Sequence, residues 1–228
     1  MRNDQKTKDP VNQPLIVLER RIGLQSFGVM NNAVWYEDPK RLVFTLSRYK
    51  FVAKMLAGKQ QVAEIGCGDG FGSRIVRQEV GNLLITDYDA YFIERFREQA
   101  SEKWPTDSRT HDILTKPLSL RMDAIYALDV MEHISKELED VFLKNICLSL
   151  RANGCAVIGM PSLESQSYAS VGSREGHVNC KSGNELQTLL LQHFEHVFLF
   201  SMNDEVVHTG FTKMAHYLLA LCVSPKTI

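Results

Sequence analysis

The sequence predicts an α/β fold in which a mostly parallel sheet is covered by helices on both faces. From residue 62 onward, short apolar segments alternate with amphipathic helical patterns, and a chain of 228 residues with 44% hydrophobic content can form one domain with an extension. In sheets of this kind, ligands bind beyond the carboxyl ends of the strands. Residues that directly follow a strand are therefore the candidates for a functional site.

Seven strands account for the apolar segments. They are predicted at 62–66, 83–86, 109–111 and 123–128 and in the segments CAVIGM, HVFLFSM and KMAHYLLALCV. The last two strands have only a loop between them, so we expect them to pair antiparallel. Helices are predicted to begin at about Phe71, at about Ala90 and after Ser135, and a further helix contains Leu186.

Two of the predicted helices have recognisable ends. Asp38 is expected to cap a helix whose first residue is Pro39, and Gly58 is expected to end it. The helix that follows the fourth strand is predicted to close at Asn153 and Gly154, before CAVIGM.

The composition argues against several classes of protein. The 26 basic and 27 acidic residues are mixed along the chain, so nothing indicates non-specific binding of nucleic acid. The first ten residues are polar, and no apolar run has the length of a membrane span, so we expect a cytoplasmic protein without a membrane partner. The five cysteines include no C-x-x-C pair, which argues against a disulfide framework or a structural zinc site. We expect the cysteines to be small, buried apolar residues.

The stretch VAEIGCGDGFGS has a glycine at every second position from Gly66 to Gly72. It lies at the predicted turn from the first strand to the next helix, where backbone amides approach a ligand closely. A Walker phosphate loop is excluded because no Lys followed by Ser or Thr comes after the glycines. A dinucleotide loop is disfavoured because Phe71 or Ser73 stands where G-x-G-x-x-G requires its last glycine.

The remaining pattern, an apolar residue followed by Glu-Ile-Gly-x-Gly-x-Gly, resembles the first motif of the class I S-adenosylmethionine-dependent methyltransferases. The later motifs of that family follow in order in LLITDYDAYFI, THDIL, MDAIYALDVMEHI and GCAVIGMPS with GHVNCKSGNELQTLL. The resemblance covers residues 62–194. It implies a Rossmann-like fold with a mostly parallel seven-stranded sheet, an antiparallel last strand, and S-adenosylmethionine as the cofactor, with S-adenosylhomocysteine as the product.

The resemblance also assigns roles in cofactor binding. In the family the glycine loop lies under the methionine part of the cofactor. Asp87 is implied to accept hydrogen bonds from the ribose hydroxyls, and Asp112 from the adenine amino group. Asp129 is implied to lie near the cofactor's amino group and the reacting centre. The residues assigned to the cofactor are Glu64, Gly66, Cys67, Gly68, Gly70, Asp87, Tyr88, Asp112, Ile113, Leu128 and Arg48.

The N-terminal part is expected to cover the site. We divide the chain into a flexible tail at 1–10, a helical cap at 11–60 over the cofactor and substrate cleft, and a methyltransferase core at 61–228. An aromatic-rich cap would exclude water from the methyl transfer. Arg48, within the cap, is expected to reach the cofactor carboxylate.

The methyl acceptor is expected to be a small molecule that is methylated at oxygen or nitrogen. The N/D-P-P-Y/F motif of the enzymes that methylate base amino groups is absent, because Leu-Asp-Val-Met stands after the fourth strand. Where the acceptor must lose a proton, the candidate groups are His177 first and then His133, with Asp129 beside the reacting centre. His208 is a third histidine expected near the same edge.

The segment Asp-Val-Met-Glu-His at 129–133 allows a second interpretation. It resembles the E-x-x-E-H arrangement in which carboxylates and histidine of some O-methyltransferases hold a divalent metal, with Asp129 replacing the first Glu. His177 would complete such a site with Glu132 and His133. D-x-x-E-H also occurs in family members in which these residues only open the next helix, and we adopt that metal-free interpretation.

Two other functions stay open. An NAD-dependent oxidoreductase would transfer hydride and would not bind S-adenosylmethionine. A regulatory protein without catalysis would bind the cofactor and methylate nothing.

Overall fold

The computed structural model describes residues 6–226. Of the predicted tail at 1–10, residues 1–5 lie outside the described range, and Pro10–Asn12 begins the first helical turn. The helices are α1 (Gln13–Ile22), α2 (Val29–Glu37), α3 (Pro39–Met55), α4 (Ser73–Arg77), α5 (Ala90–Glu98), α6 (Glu139–Ser149), α7 (Val171–Gly176) and α8 (Gly183–His193). The strands are β1 (Gln61–Ile65), β2 (Asn82–Asp87), β3 (Asp107–Thr110), β4 (Met122–Leu128), β5 (Leu150–Pro161), β6 (Phe194–Asn203), β7 (Val206–His208) and β8 (Tyr217–Pro225).

The eight strands form one sheet in the order β3-β2-β1-β4-β5-β8-β6-β7. The first five in this order run parallel, whereas β8 pairs antiparallel with both β5 and β6. The predicted Rossmann-like architecture with an antiparallel final strand is confirmed. The order places the carboxyl ends of β2, β1 and β4 side by side, so the loops after these strands meet at one edge.

The prediction of seven strands was wrong by one, because a short strand β7 forms in the connection NDEVVHTGF. It pairs antiparallel with β6, in register from Asn203 opposite Val206. Only Asp204 and Glu205 separate the two strands, and Asp204 has a positive φ of 48°, which suits a tight hairpin turn. The final strand begins later than predicted, at Tyr217, because Thr212–Met214 form a 3₁₀ turn before it.

Asn153 and Gly154 do not close a helix. The helix α6 ends at Ser149, and both residues lie within β5, where the pairing with β4 passes from Leu150 to Cys155 through an irregularity. The polar Arg-Ala-Asn-Gly sequence therefore forms a bulged strand start, which sequence alone does not distinguish from a helix end.

Helices cover both faces of the sheet. Successive residues of β4 point to opposite sides, so Ile125 packs in a cluster with Phe142 of α6 and Leu190 of α8, while Tyr126 packs in a cluster with Val52 of α3. The helix α3, predicted as part of the cap, is thus part of the core, whereas α1 and α2 contain no buried residue. The boundary predicted at residue 60 stays a prediction.

Four of the cysteines, Cys67, Cys147, Cys155 and Cys222, are buried free thiols as predicted, and Cys180 is partly exposed. Within residues 6–226, no helix has both the length and the apolar character that crossing a membrane requires.

Truncation of a leucine in α6 is expected to test the importance of this core. Leu143 is fully buried and Leu148 is 40% exposed in the same helix. Leu143→Ala should lower the free energy of unfolding by about 2–5 kcal/mol, because it leaves a cavity. Leu148→Ala, the matched control, should lower it by less than about 1 kcal/mol. Urea denaturation measures both, and equal losses would contradict the packing described.

Candidate active site

The glycine loop after β1 adopts a backbone that only glycine accepts readily. Gly66, Gly68 and Gly70 have φ angles of 72°, 52° and 65°. The loop is fastened to the next strand, because the amides of Gly66 and Cys67 both donate to the carbonyl of Thr86, at 2.8 and 3.0 Å. The alternation of glycines in the sequence thus reflects a tight turn at the carboxyl edge of the sheet.

Glu64 lies beneath this loop and is buried, with only 1% of its surface exposed. Its carboxylate accepts hydrogen bonds from the hydroxyls of Tyr49 at 2.8 Å and Tyr126 at 2.7 Å, and from the hydroxyl of Ser73. Both of its oxygens are therefore used inside the protein. These contacts hold the loop in place, and the expected role of Glu64 toward the cofactor stays a prediction.

Asp87, at the end of β2, faces the same loop. Its Oδ2 accepts from the amide of Gly68 and its Oδ1 from the amide of Asp89, both at 2.9 Å. Each carboxylate oxygen retains a further lone pair for a ligand hydroxyl. Asp89, rather than Asp87, caps α5. The neighbouring Tyr88 is 77% exposed and lies at the rim.

The next predicted cofactor residues follow β3 and end β4. Asp112 accepts from the amide of Leu114 through Oδ1 at 2.9 Å, and no hydrogen bond in residues 6–226 engages its Oδ2. Ile113 and Leu128 are both 5% exposed and provide apolar surface. Because β3 and β4 lie on opposite sides of the β2–β1 pair, these residues border the glycine loop from both directions.

Asp129 begins the segment after β4 in an uncommon conformation. Its φ is 56°, in the left-handed region that residues with a side chain seldom adopt. Arg48 donates from Nη1 to both carboxylate oxygens at 2.9 Å, and its guanidinium lies 3.8 Å from the centre of the Tyr217 ring. Arg48 is thus engaged with Asp129, and its expected contact with the cofactor carboxylate stays a prediction.

Glu132, His133 and His177 form a cluster of possible metal ligands. One ligand atom from each lies within 4.8 Å of the others. The Glu132 side chain is completely buried, and neither of its oxygens has a hydrogen-bond partner in the described part of the chain. Burial, assisted by the negative charge of Asp129, raises the pKa of Glu132 well above its ordinary value. A buried carboxyl group whose two oxygens lack hydrogen-bond partners is costly, and a cation bound beside it would satisfy both oxygens.

The two imidazoles of this cluster are oriented by carbonyl oxygens. Nδ1 of His133 lies 2.8 Å from the carbonyl of Gly176, and Nδ1 of His177 lies 2.9 Å from Oε1 of Gln166. The amide nitrogen of Gln166 donates to the carbonyl of Ser162, which leaves its oxygen for His177. Because both partners are carbonyl oxygens, each Nδ1 acts as the donor, and a neutral imidazole held in this way has Nε2 available for a metal, as in metal-ligating histidines.

Buried polar contacts hold the segment that carries His177. The amide of Asn179 donates to the carbonyl of Glu132 at 3.0 Å. Lys181 is 7% exposed and makes an ion pair with Glu139 at 2.7 Å, which ties this segment to α6. The pairing brings the loop after β5 beside the loop after β4, although some forty residues separate them in the sequence.

His208 does not belong to this cluster. Its Nε2 lies 2.8 Å from Oδ1 of Asn203, and its Nδ1 accepts from the amide of Gly210 at 2.9 Å. Both ring nitrogens are used within the β6–β7 hairpin. Sequence reasoning missed Gln166 and Tyr217, because neither a serine-rich loop nor an apolar strand carries a local signal for these contacts.

Glu64→Gln is expected to change how stability depends on pH. Burial raises the pKa of Glu64 from 4.5 to about 7, although its three hydroxyl donors oppose the shift. Between these values the folded state holds a proton that the unfolded chain has lost, so the free energy of unfolding falls as pH rises through this window. At 1.36 kcal/mol for each pKa unit, the fall is about 3 kcal/mol.

Glu64→Gln has no carboxyl group to titrate at this position, so its free energy of unfolding should not show this fall. The difference in unfolding free energy between the variant and the wild type should therefore change between the two pH values. Urea denaturation at about pH 5 and pH 8 measures it. The exposed Glu195 provides the control Glu195→Gln, which should follow the wild type. Parallel pH profiles for Glu64→Gln and the wild type would contradict the burial described.

The comparisons with known proteins agree with this geometry. Residues 63–156 match a family model described as a methyltransferase domain. No curated protein sequence matches the chain. Among solved structures, the N-methyltransferase NodS from Bradyrhizobium japonicum WM9, bound to S-adenosylhomocysteine, is similar with a TM-score of 0.61 and 18% identity, over 84% of this chain and 91% of NodS.

Two further structures show the same fold. The methyltransferase domain of bacterial CtHen1 has a TM-score of 0.65 and 14% identity, over 79% of this chain and 98% of that domain. Magnesium protoporphyrin IX methyltransferase from Synechocystis PCC 6803, with bound S-adenosylhomocysteine, has a TM-score of 0.61 and 15% identity, over 93% and 95% of the two chains. Residues 63–156 thus match a methyltransferase domain, and the chain has the Rossmann-like fold of these S-adenosylmethionine-dependent methyltransferases.

Proposed function

We propose that this protein transfers the methyl group of S-adenosylmethionine to a hydroxyl oxygen of a small molecule, and that Glu132, His133 and His177 hold a divalent cation to which the acceptor binds. The observation that carries this proposal is the Glu132 carboxylate, which is completely buried without a partner beside two histidines. The metal-free interpretation drawn from the sequence leaves the energetic cost of that carboxylate unexplained.

The residues at the edge of the sheet suit S-adenosylmethionine. NodS and the magnesium protoporphyrin IX methyltransferase are similar structures that hold its product, S-adenosylhomocysteine. In this chain Asp87 and Asp112 keep free acceptor lone pairs, as hydroxyl and amino donors of an adenosine require. We assign the methionine part to the loop from Gly66 to Gly70, because its three glycines with positive φ turn the backbone tightly at the edge of the sheet.

The donor set also suits a divalent cation. One carboxylate and two neutral imidazoles are ligands that first-row metals such as Mn²⁺ or Fe²⁺ accept, and each imidazole is oriented by a carbonyl oxygen. A bound cation would act as a Lewis acid that positions the acceptor oxygen and lowers the pKa of its hydroxyl. We assign the role of Asp129 to positioning, because Arg48 occupies its carboxylate.

The remaining requirements of methyl transfer are orientation and the exclusion of water. The displacement removes the positive charge from sulfur, so a dry and well-oriented site supplies much of the rate. His177 and His133 stay the candidates for proton removal if the acceptor loses its proton without a cation, and Asp129 stays beside the reacting centre. This is the alternative to the metal-assisted mechanism.

The surface next to the cluster favours an acceptor with an apolar part. The turn Glu164–Tyr168, which contains Gln166, packs against the turn Thr212–Met214. Tyr168 and Met214 in these turns are exposed by 92% and 72%, and Phe211, directly before the second turn, is exposed by 65%. Large apolar side chains exposed around a polar site are typical of a surface that binds an organic ligand.

Gly68→Val is expected to abolish binding of S-adenosylhomocysteine. Its φ of 52° strains any residue with a side chain, and its Cβ would lie 2.7 Å from Sδ of Met30. Isothermal titration calorimetry with S-adenosylhomocysteine and NAD measures binding, and circular dichroism checks that the sheet persists. Gly172→Val is the control, since open space surrounds Gly172. Normal binding by Gly68→Val, or binding of NAD alone by the wild type, would refute the cofactor assignment.

Glu132→Gln and His177→Ala are expected to remove the binding of Mn²⁺, because each deletes one of three ligands. Equilibrium dialysis against Mn²⁺, with electron paramagnetic resonance of the free ion, measures the loss. His208→Ala is the matched control, because both nitrogens of His208 are used elsewhere. Wild-type methyl transfer that continues in excess chelator would leave the histidines as bases and contradict the metal-assisted mechanism.

A further inference from the structure

Asp69, in the middle of the glycine loop, bonds to the N-terminal helix α2. Its Oδ2 accepts from the amide of Asn31 at 3.0 Å, and its Oδ1 accepts from the side-chain amide of Asn31 at 2.7 Å. Oδ1 also accepts from the amide of Phe71 in its own loop, at 3.3 Å. Asp69 is only 8% exposed, so one buried carboxylate joins two segments that are 38 residues apart.

The helix α2 needs this carboxylate because it has no cap of its own. Its N-cap residue is Gly28, which has no side chain, and the helix starts without a local side-chain cap. Asn31 is the third residue of the helix, and its amide is one that an N-cap side chain normally satisfies. Asp69 therefore supplies from the glycine loop the hydrogen bond that Asp, Asn or Ser would supply from the N-cap position.

Close packing surrounds this hydrogen bond. A Cβ on Gly28 would lie 2.5 Å from the side chain of Asp69, and a Cβ on Gly68 would lie 2.7 Å from Sδ of Met30. Phe27 also packs edge-on against Phe71, with ring centres 5.0 Å apart. The start of α2 thus lies directly on the loop, and the absence of side chains at two glycines permits the contact.

We infer that Asp69 is a positioning residue that couples the docking of α2 to cofactor binding on the glycine loop. The inference rests on the proposed function, in which this loop binds S-adenosylmethionine. With α2 docked, the loop is held in one conformation before the cofactor arrives, so binding costs less conformational entropy. When the Asp69 contact is lost, α2 leaves the loop and the cofactor binds more weakly.

Coupling of this kind is reciprocal. If docking of α2 favours the cofactor, the cofactor must favour docking of α2 by the same factor. Tryptic cleavage measures docking without any measurement of activity. Trypsin cuts after arginine, and Arg20 and Arg21 lie in the last turn of α1, the helix just before α2. Saturating S-adenosylhomocysteine should slow cleavage at these residues in the wild type and should not slow it in Asp69→Ala.

Two variants test the contact from its two sides. Asp69→Ala removes the carboxylate, and Gly28→Ala places a methyl group against it. Each is expected to raise the Kd of S-adenosylhomocysteine at least about fivefold, which is the factor by which removal of a cap typically lowers the stability of a helix. Each should also speed tryptic cleavage. Calorimetry and a time course of digestion measure the two effects.

Gly23→Ala is the matched control. Gly23 has a positive φ of 70°, close to the 85° of Gly28, but no atom lies within 4 Å of its Cβ position. It therefore carries a similar backbone strain without disturbing Asp69, and it should bind S-adenosylhomocysteine as the wild type does. Wild-type affinity in Asp69→Ala, or equal effects of Gly23→Ala and Gly28→Ala, would overturn the inference.

The two proposals fail in different ways. If the wild type binds no S-adenosylhomocysteine, the proposed function is wrong, and the coupling that rests on it is wrong too. If the wild type binds it but Asp69→Ala shows the same affinity and the same protection from trypsin, only the coupling is wrong. Thermal denaturation of each variant separates loss of docking from loss of the fold.

Discussion

The buried carboxylate of Glu64 is the interaction on which the rest of the site depends. It joins Tyr49 of α3, Tyr126 of β4 and Ser73 at the start of α4, and it belongs to β1 itself. One side chain thus fixes two strands and two helices where the glycine loop leaves the sheet. Removing a carboxylate from water is costly, and three hydroxyl donors offset part of that cost. The arrangement explains why an acid precedes the glycines, because its carboxylate holds the start of the loop.

Above this anchor, the edge of the sheet carries two neighbouring acids with different surroundings. Asp129 is neutralised by Arg48, which the ring of Tyr217 supports from the other side. Glu132 has no such partner and is more deeply buried. One acid is thus paired within the protein, while the other has no hydrogen-bond partner among residues 6–226, which is why we propose it as a metal ligand. The strained backbone at Asp129 is the local cost of turning the chain between them.

Much of the fold could be predicted from the sequence because its signals are local. The glycine loop, the order of strands and helices, and the acids after β2 and β3 follow from residue type and spacing. The errors arose where local signals were ambiguous. Asn153 and Gly154 suit a helix end as well as a bulged strand, and Val206 and Val207 form a strand only because β6 offers an edge for pairing. Tyr126 lies in an apolar strand, so nothing in the pattern indicates its hydrogen bond to Glu64.

The alternating strands and helices and the tight glycine turn could be read from the sequence, because hydrophobic periodicity and glycine spacing record the backbone conformation directly, and the resemblance of the motifs added the methyltransferase fold. Tertiary structure alone decided how the acids are used. Whether Glu64, Asp69, Asp129 or Glu132 faces a ligand depends on partners such as Tyr49, Asn31 and Arg48, which lie far away in the chain. The free energy of a carboxylate is set by burial and by neighbouring donors, and no local pattern encodes either.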